Sequence, residues 1–443
     1  MLIRFRAGNF RSLKDEQELS LVASSLKDSP EAVTPVEGLD LGLVRAAAIY
    51  GANASGKSNV VKALAYMSSA VQNSQRNWPP EGPIPREPFL LDPQSKVDPS
   101  SFEVDLLVDG IRYHYGFALN DKEILREWLD AYPIGRKQRW FKREGKAFTF
   151  GDKLSGDNSA IERLTRPNSL FLSAAAQNNH ESLLPLYRWF AERFGFVARD
   201  RGPAIFNTAV MCKDEGFKSW ASQILRSADM GIVDLHVQEE DLLPTLPAGL
   251  STKEALLGEE FVTLLRGFAE KLRREVPQTP DIPTKRLVVS LIHKGFSRRN
   301  VPFNIENESD GTVAFYGLLG PLVHVLLSGG TLCVDELDAS LHPLLALGVL
   351  SYFGDPELNP RSAQIIFTTH DTNILDRGAL RRDQIWFTEK DSEGATHLYP
   401  LTDFKPRRNE NLERGYLQGR YGAVPFIGSS DFVASAHEGE ADH

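Results

Sequence analysis

Residues Gly51-Ala52-Asn53-Ala54-Ser55-Gly56-Lys57-Ser58 fit the pattern G-x-x-x-x-G-K-[ST]. Small side chains at this spacing let successive backbone N–H groups wrap a phosphate chain. A helix starting at the lysine adds the positive end of its dipole. In this reading Lys57 reaches the β- and γ-phosphates of ATP, the Ser58 hydroxyl ligates Mg2+, and Asn59 completes the nucleotide-binding stretch. The plain alternative is a glycine-rich turn that merely opens a helix. The apolar strand expected just before the loop, Val44 to Tyr50, argues for the phosphate reading.

A second site candidate lies far downstream. Thr331-Leu332-Cys333-Val334-Asp335-Glu336 is an apolar strand that ends in two carboxylates. Burying adjacent carboxylates is costly unless a cation or a proton sits with them. Asp335 therefore fits as the acid that holds Mg2+ through water, and Glu336 as the group that activates the attacking water. Alone, such a strand end is a common exposed feature; paired with the glycine loop it points to nucleotide hydrolysis. Three further segments follow the same order: Glu308-Ser309-Asp310-Gly311-Thr312 before the strand, Leu337-Asp338-Ala339-Ser340-Leu341-His342-Pro343 after it, and the strand Gln364 to Thr369 ending at His370-Asp371. Singly, the histidine reads as structural and Ser-Asp-Gly as a turn or helix cap. Their shared order with the two acids favours a functional reading of both.

Positioning these residues requires an α/β fold with mixed antiparallel and parallel sheets. Strands are expected at Leu2–Arg6, Leu19–Val22 and Val44–Tyr50, and a helix from Lys57 through Val60, Val61, Leu64 and Met67. A loop covers Asn77 to Ser100. One hairpin turns at Asp109-Gly110 and a second around Glu144-Gly145. The texture over 156–285 is helical, with Leu183–Phe194, Phe217–Leu225 and Glu254–Val276 at helical spacing. It returns to strand at Leu287–Ile292, and helix and strand then alternate to Phe426. The division expected is 1–155 for the first part of the head, 156–285 for a helical insert or lid, 286–428 for the second part, and 429–443 for a frayed tail.

Composition sets the limits. The 443 residues are 42% hydrophobic and 25% charged, with a formal charge of −9. That excludes wholesale disorder and a globally basic nucleic-acid surface, so nucleic acid is not indicated as a partner. The pairs Arg273-Arg274, Arg298-Arg299 and Arg407-Arg408 read as solvated faces. Two cysteines, Cys212 and Cys333, build no disulfide framework or metal cluster, which suits a reducing, cytoplasmic location. The N-terminus lacks the apolar run of a signal peptide. Gly311 to Val334 holds no Asp, Glu, Lys or Arg and is long enough to span a bilayer. Pro321 and Ser328-Gly329-Gly330 divide it into a buried helix and a buried strand, so no membrane is expected.

The set of motifs resembles the ATP-binding-cassette type of ATPase head, in the branch with SMC and RecF proteins, over roughly 1–155 and 286–428. The resemblance implies a P-loop NTPase head in which Ser309 and Gly311 form the signature segment, Asp338 the D-loop and His370 the switch histidine. Arg11 and Ser12 would lie on a nucleotide-contacting strand. In such heads the signature serine contacts the γ-phosphate bound to a second head, so a homodimer or larger homo-oligomer sandwiches ATP. Glu308 and Asp310 depart from the usual L-S-G-G, and no glutamine matches the cassette's glutamine loop well, Gln94 being the one candidate. A closer resemblance is to the small AbiLi/RloA-type ATPases of phage-defence and abortive-infection systems. It is carried by the Glu308–Thr312, Asp335–Pro343 and Phe367–Asp371 blocks, by Arg381–Phe387 and by Gly415–Ala423. That family implies a sensor or scaffold acting with a separate effector protein. The related nucleases with a Toprim domain carry an Asp-x-Asp that is absent after His370. A RecF-like DNA clamp is the rival reading. For Arg420-Tyr421-Gly422, packing of the C-terminal stretch stands slightly ahead of a partner- or phosphate-binding role.

Overall fold

The computed structural model describes residues 1–36, 39–133, 135–228, 230–241, 285–296, 299–376, 378–408 and 410–425. The chain opens with β1 (Leu2–Gly8), β2 (Gln17–Ser20), β3 (Val33–Val36), β4 (Leu39–Val44), β5 (Ala46–Gly51) and α1 (Lys57–Asn73). After a loop come β6 (Ser100–Val108), β7 (Ile111–Leu119), β8 (Ile124–Tyr132), β9 (Gln138–Glu144) and β10 (Ala147–Phe150). Then follow α2 (Asn158–Leu164), α3 (Phe171–Gln177), α4 (Leu184–Glu192), β11 (Phe194–Val197), α5 (Gly202–Met211), α6 (Glu215–Ser227) and β12 (Ile232–Asp241). The rest is β13 (Lys285–Lys294), β14 (Asn300–Asn304), α7 (Asp310–Ser328), β15 (Thr331–Val334), α8 (Pro343–Gly354), β16 (Gln364–Thr368), α9 (Asn373–Asp376), β17 (Ile385–Lys390), β18 (Thr396–Pro400) and α10 (Leu412–Leu417).

These elements form two compact units, Met1–Asp200 with His324–His443, and Arg201–Val323. The first holds two large sheets. One is antiparallel, in the order β10-β9-β8-β7-β6-β1-β2; the other runs β11-β15-β16-β5-β17-β18 and is parallel except for its last strand. Helix α1 touches β1 on one side and β5, β15 and β16 on the other, so its apolar residues Val60, Val61, Leu64 and Met67 are all buried. The buried Gln364 amide stitches the sheets together, accepting from Leu2 N at 2.6 Å and donating to Leu2 O at 2.9 Å.

The hairpin at Asp109-Gly110 is as expected, with both residues at positive φ as a tight two-residue turn requires. Strand β8, which pairs with both β7 and β9, is an addition to the sequence reading. The boundaries of the expected helical insert differ from the observed units. Residues 156–200 lie in the first unit, because α3 and α4 pack on α1 and β11 joins the parallel sheet beside β15. The second unit carries α5 and α6 but also the antiparallel sheet β12-β13-β14. The expected helix over Glu254–Val276 and the tail over 429–443 lie outside the described residues.

Helix α7 is long and apolar enough to cross a membrane, and 67% of its most apolar stretch is buried. Pro321 sits inside it, so the carbonyl of Gly317 loses its helical partner. Thr208 supplies a replacement: its hydroxyl donates to Gly317 O at 3.2 Å and accepts from Gly320 N at 3.0 Å. At Gly320 a Cβ would fall 2.4 Å from that hydroxyl, so the glycine permits the approach.

The two C-terminal blocks named in the sequence analysis act as fasteners. Buried Arg381 donates to Leu26 O and pairs with Asp383, which in turn accepts from Ser24 N and Oγ. Tyr416 and Tyr421 stack on Phe387, Tyr421 Oη donates to Glu410 at 2.7 Å, and Arg420 pairs with the same carboxylate. These contacts give the packing role for Arg420-Tyr421.

Candidate functional site

The strands explain why distant residues converge. In the parallel register Val334 lies beside Phe367, and Thr368 beside Ile49. The carboxyl ends of β15, β16 and β5 therefore open at one edge, the position where open parallel sheets present their ligand-binding loops. Gly51–Ser58 leaves β5 there, Asp335-Glu336 leaves β15, and Thr369-His370 leaves β16.

The loop geometry is what phosphate binding needs. Ala54 and Gly56 both lie at positive φ, 62° and 106°. A Cβ on Gly56 would overlap Thr396 Oγ1, so that position accepts only glycine. The loop is braced from below: Thr396 Oγ1 donates to Ser55 O at 2.8 Å, and Ser55 Oγ lies 2.6 Å from Thr388 Oγ1. Ser12 Oγ accepts from Asn59 Nδ2 at 2.6 Å and lies 2.8 Å from Thr396 Oγ1. Ser12 and Asn59 thus support the loop from the side, while Arg11 pairs with Glu87 at 2.7 Å. Asn53 and Ala54 are exposed at the tip.

Lys57 is buried, and its Nζ donates to Gly51 O at 2.8 Å and Ala52 O at 3.0 Å. Burial pulls its pKa down to about 8, against the opposing charges of Glu336, Asp338 and Asp335. His370 is held below the ordinary imidazole value, first by burial and then by the charge of Lys57, with Asp338 and Glu336 acting the other way. The same four groups thus bear on one another electrostatically. Asp338 also accepts from the backbone N–H of His370 at 3.2 Å through both oxygens.

The two acids differ in setting. Asp335 is 2% exposed; its Oδ1 accepts from Thr368 Oγ1 at 2.9 Å, and Lys62 Nζ stands 3.7 Å from Oδ2. Glu336 adopts a left-handed backbone (φ 53°), anchored by its N–H donating to Thr368 Oγ1 at 2.7 Å. Its carboxylate reaches the half-open edge and meets Arg199 Nε at 3.2 Å. Lys62, Thr368 and Arg199 were not singled out by sequence reasoning.

The donor set suits a hard divalent cation. Magnesium is typically held by one or two side-chain oxygens, phosphates and retained waters. Ser58 and the buried Asp335 carry side-chain oxygens of that kind. Among the described residues there is no cluster of three or more His, Cys, Asp or Glu that would form an all-protein cage.

In the second unit Ser309 caps α7, its Oγ accepting from Thr312 N at 3.2 Å, and Gly311 follows in the first turn. Glu308 turns onto His293 at 2.7 Å, and Asp310 is exposed. Gln94 is exposed and donates to Asp98 at 2.8 Å.

A glycine loop after one parallel strand, with Asp-Glu ending a strand two places away in the same sheet, defines a P-loop NTPase. Residues 46–376 match the family described as "AAA domain, putative AbiEii toxin, Type IV TA system", and the chain belongs to that family. Among solved structures, the SMC head domain from Thermotoga maritima is similar over 90% of this chain and 98% of its own, at 12% identity and TM-score 0.38. The Pyrococcus furiosus Smc head domain with an extended coiled coil, bound to the C-terminal domain of ScpA, is similar over 95% and 98%, at 14% identity and TM-score 0.34. No match was found among curated proteins.

Proposed function

We propose that this P-loop head binds ATP at Gly51–Asn59 and hydrolyses it to ADP and phosphate in a Mg2+-dependent reaction. The supporting observation is the shared edge of β5, β15 and β16, which gathers Lys57, Asp335, Glu336 and His370. Lys57 exchanges two loop carbonyls for phosphate oxygens, and the loop amides take the rest of the chain. Ser58 and Asp335 would hold Mg2+, which when bound neutralises phosphate charge. Glu336 orients the attacking water and accepts its proton. His370, kept neutral by its surroundings, contacts the γ-phosphate end by hydrogen bonding, and Asp338 holds its backbone in place.

Two chains sandwich ATP in this reading, with Ser309 and Gly311 of one serving the loop of the other. Membership of a family whose description names a putative AbiEii toxin and a Type IV TA system is what supports a role in an anti-phage system, here read as its sensor or scaffold with a separate effector. The two cysteines, free and buried, suit a reducing cytoplasm. Titration with a fluorescent ATP analogue tests the core of the reading. Lys57→Ala removes the charge-assisted bonds to phosphate, so affinity should fall at least about tenfold. Undiminished affinity would refute the assignment of the loop.

A further inference from the structure

Glu336 does not stand at the edge alone. Strands β11 and β15 are parallel neighbours with Val197 beside Val334, and Asp335 N donates to Val197 O at 2.9 Å. Two residues further along each chain, that register sets Arg199 opposite Glu336. The contact is the 3.2 Å pair between Arg199 Nε and Glu336 Oε2. Because the Glu336 backbone is fixed by its left-handed φ and its bond to Thr368, only side-chain rotation moves the carboxylate.

We propose that Arg199 is a positioning residue that restrains Glu336, so that hydrolysis requires this ion pair to open. The proposal rests on the reading of Glu336 as the group that orients water. A carboxylate oxygen occupied by a guanidinium is a poorer acceptor for that water and is turned toward β11. The restraint is weak by construction. Arg199 is 77% exposed, so solvent screens the pair. Exposed pairs of this kind shift an equilibrium by about two- to fivefold. The ion pair therefore slows basal turnover without blocking it.

Steady-state ATP hydrolysis by the full chain tests this with Arg199→Ala, Arg199→Lys and Glu336→Gln side by side. Arg199→Ala should raise kcat by about two- to fivefold with KM unchanged, and Arg199→Lys should return kcat toward wild type. Raising salt to about 0.5 M should speed the wild type, by screening the pair, more than it speeds Arg199→Ala. A kcat for Arg199→Ala equal to or below that of wild type overturns the restraint: equality means an idle surface pair, and a fall means that Arg199 assists the reaction. Glu336→Gln separates the two levels. If it is inactive while Arg199→Ala matches wild type, the role of Glu336 stands and the restraint falls. If it turns over at the wild-type rate, the water-orienting reading fails and takes the restraint with it.

Discussion

Thr368→Val removes one hydroxyl and keeps the shape of the side chain, so it isolates the polar bracket beneath both acids. Thr368 is fully buried in β16, between β15 and β5. Its Oγ1 donates to Asp335 Oδ1 at 2.9 Å and accepts from Glu336 N at 2.7 Å. The first bond involves a charged acceptor, worth about 1.5–3 kcal/mol, and its loss strands a carboxylate oxygen that is almost sealed from water. The second costs less, about 0.5–1.5 kcal/mol, because the edge at Glu336 is half open and water can reach the freed N–H. The expected loss is about 2–4.5 kcal/mol, read from urea unfolding curves. Thr368→Ser keeps both bonds and forfeits a methyl group, about 1 kcal/mol. ATP turnover should follow the same order, falling more than about tenfold in the valine variant and little in the serine variant. A valine variant as stable and as active as the serine variant would refute the bracket.

The pH dependence of binding follows from Lys57. Burial holds it at about 8, so its charged, phosphate-binding form is lost as pH rises through that value. ATP affinity should therefore be level below pH 7 and fall between about pH 8 and 9, by up to about tenfold per pH unit, in equilibrium titrations. A flat profile would contradict the burial of that ammonium. The sandwich has its own test in Ser309→Arg, which should bind ATP at its own loop yet hydrolyse poorly. Mixed with Lys57→Ala it should recover part of the activity, because each mixed dimer keeps one composite site. No recovery despite demonstrated subunit exchange, or a wild-type rate from Ser309→Arg alone, would count against the two-headed form.

The chemistry-bearing motifs were legible because each is local. The glycine loop, the Asp-Glu strand end and the Asp109-Gly110 hairpin are spelled by contiguous residues whose backbone demands are visible in their types. The partners of those motifs were not legible. Thr368, Lys62 and Arg199 reach the two acids through strand register and helix placement, between segments far apart in the chain. Strand β11 was hidden because Phe194 continues the apolar spacing of the helix before it, and its four residues include a glycine. That same strand carries Arg199 to Glu336, so misreading it hid the residue as well. Helical texture alone places residues 156–200 in an insert, whereas α3 and α4 pack on the head's own α1. The stretch Arg381-Arg382-Asp383 fastens the 24–28 segment, a contact between segments far apart in the chain that its residue types do not reveal.

Hydrolysis at the edge of β5, β15 and β16 stands or falls with Glu336→Gln. The amide keeps the length and shape of the side chain and removes the proton acceptor. Phosphate release and ATP binding are measured on the same preparation in the presence of Mg2+. The expected result is near wild-type ATP affinity with turnover reduced by about a hundredfold or more, and an ATP-bound assembly that persists. Turnover equal to wild type would show that another group activates the water and would contradict the site described.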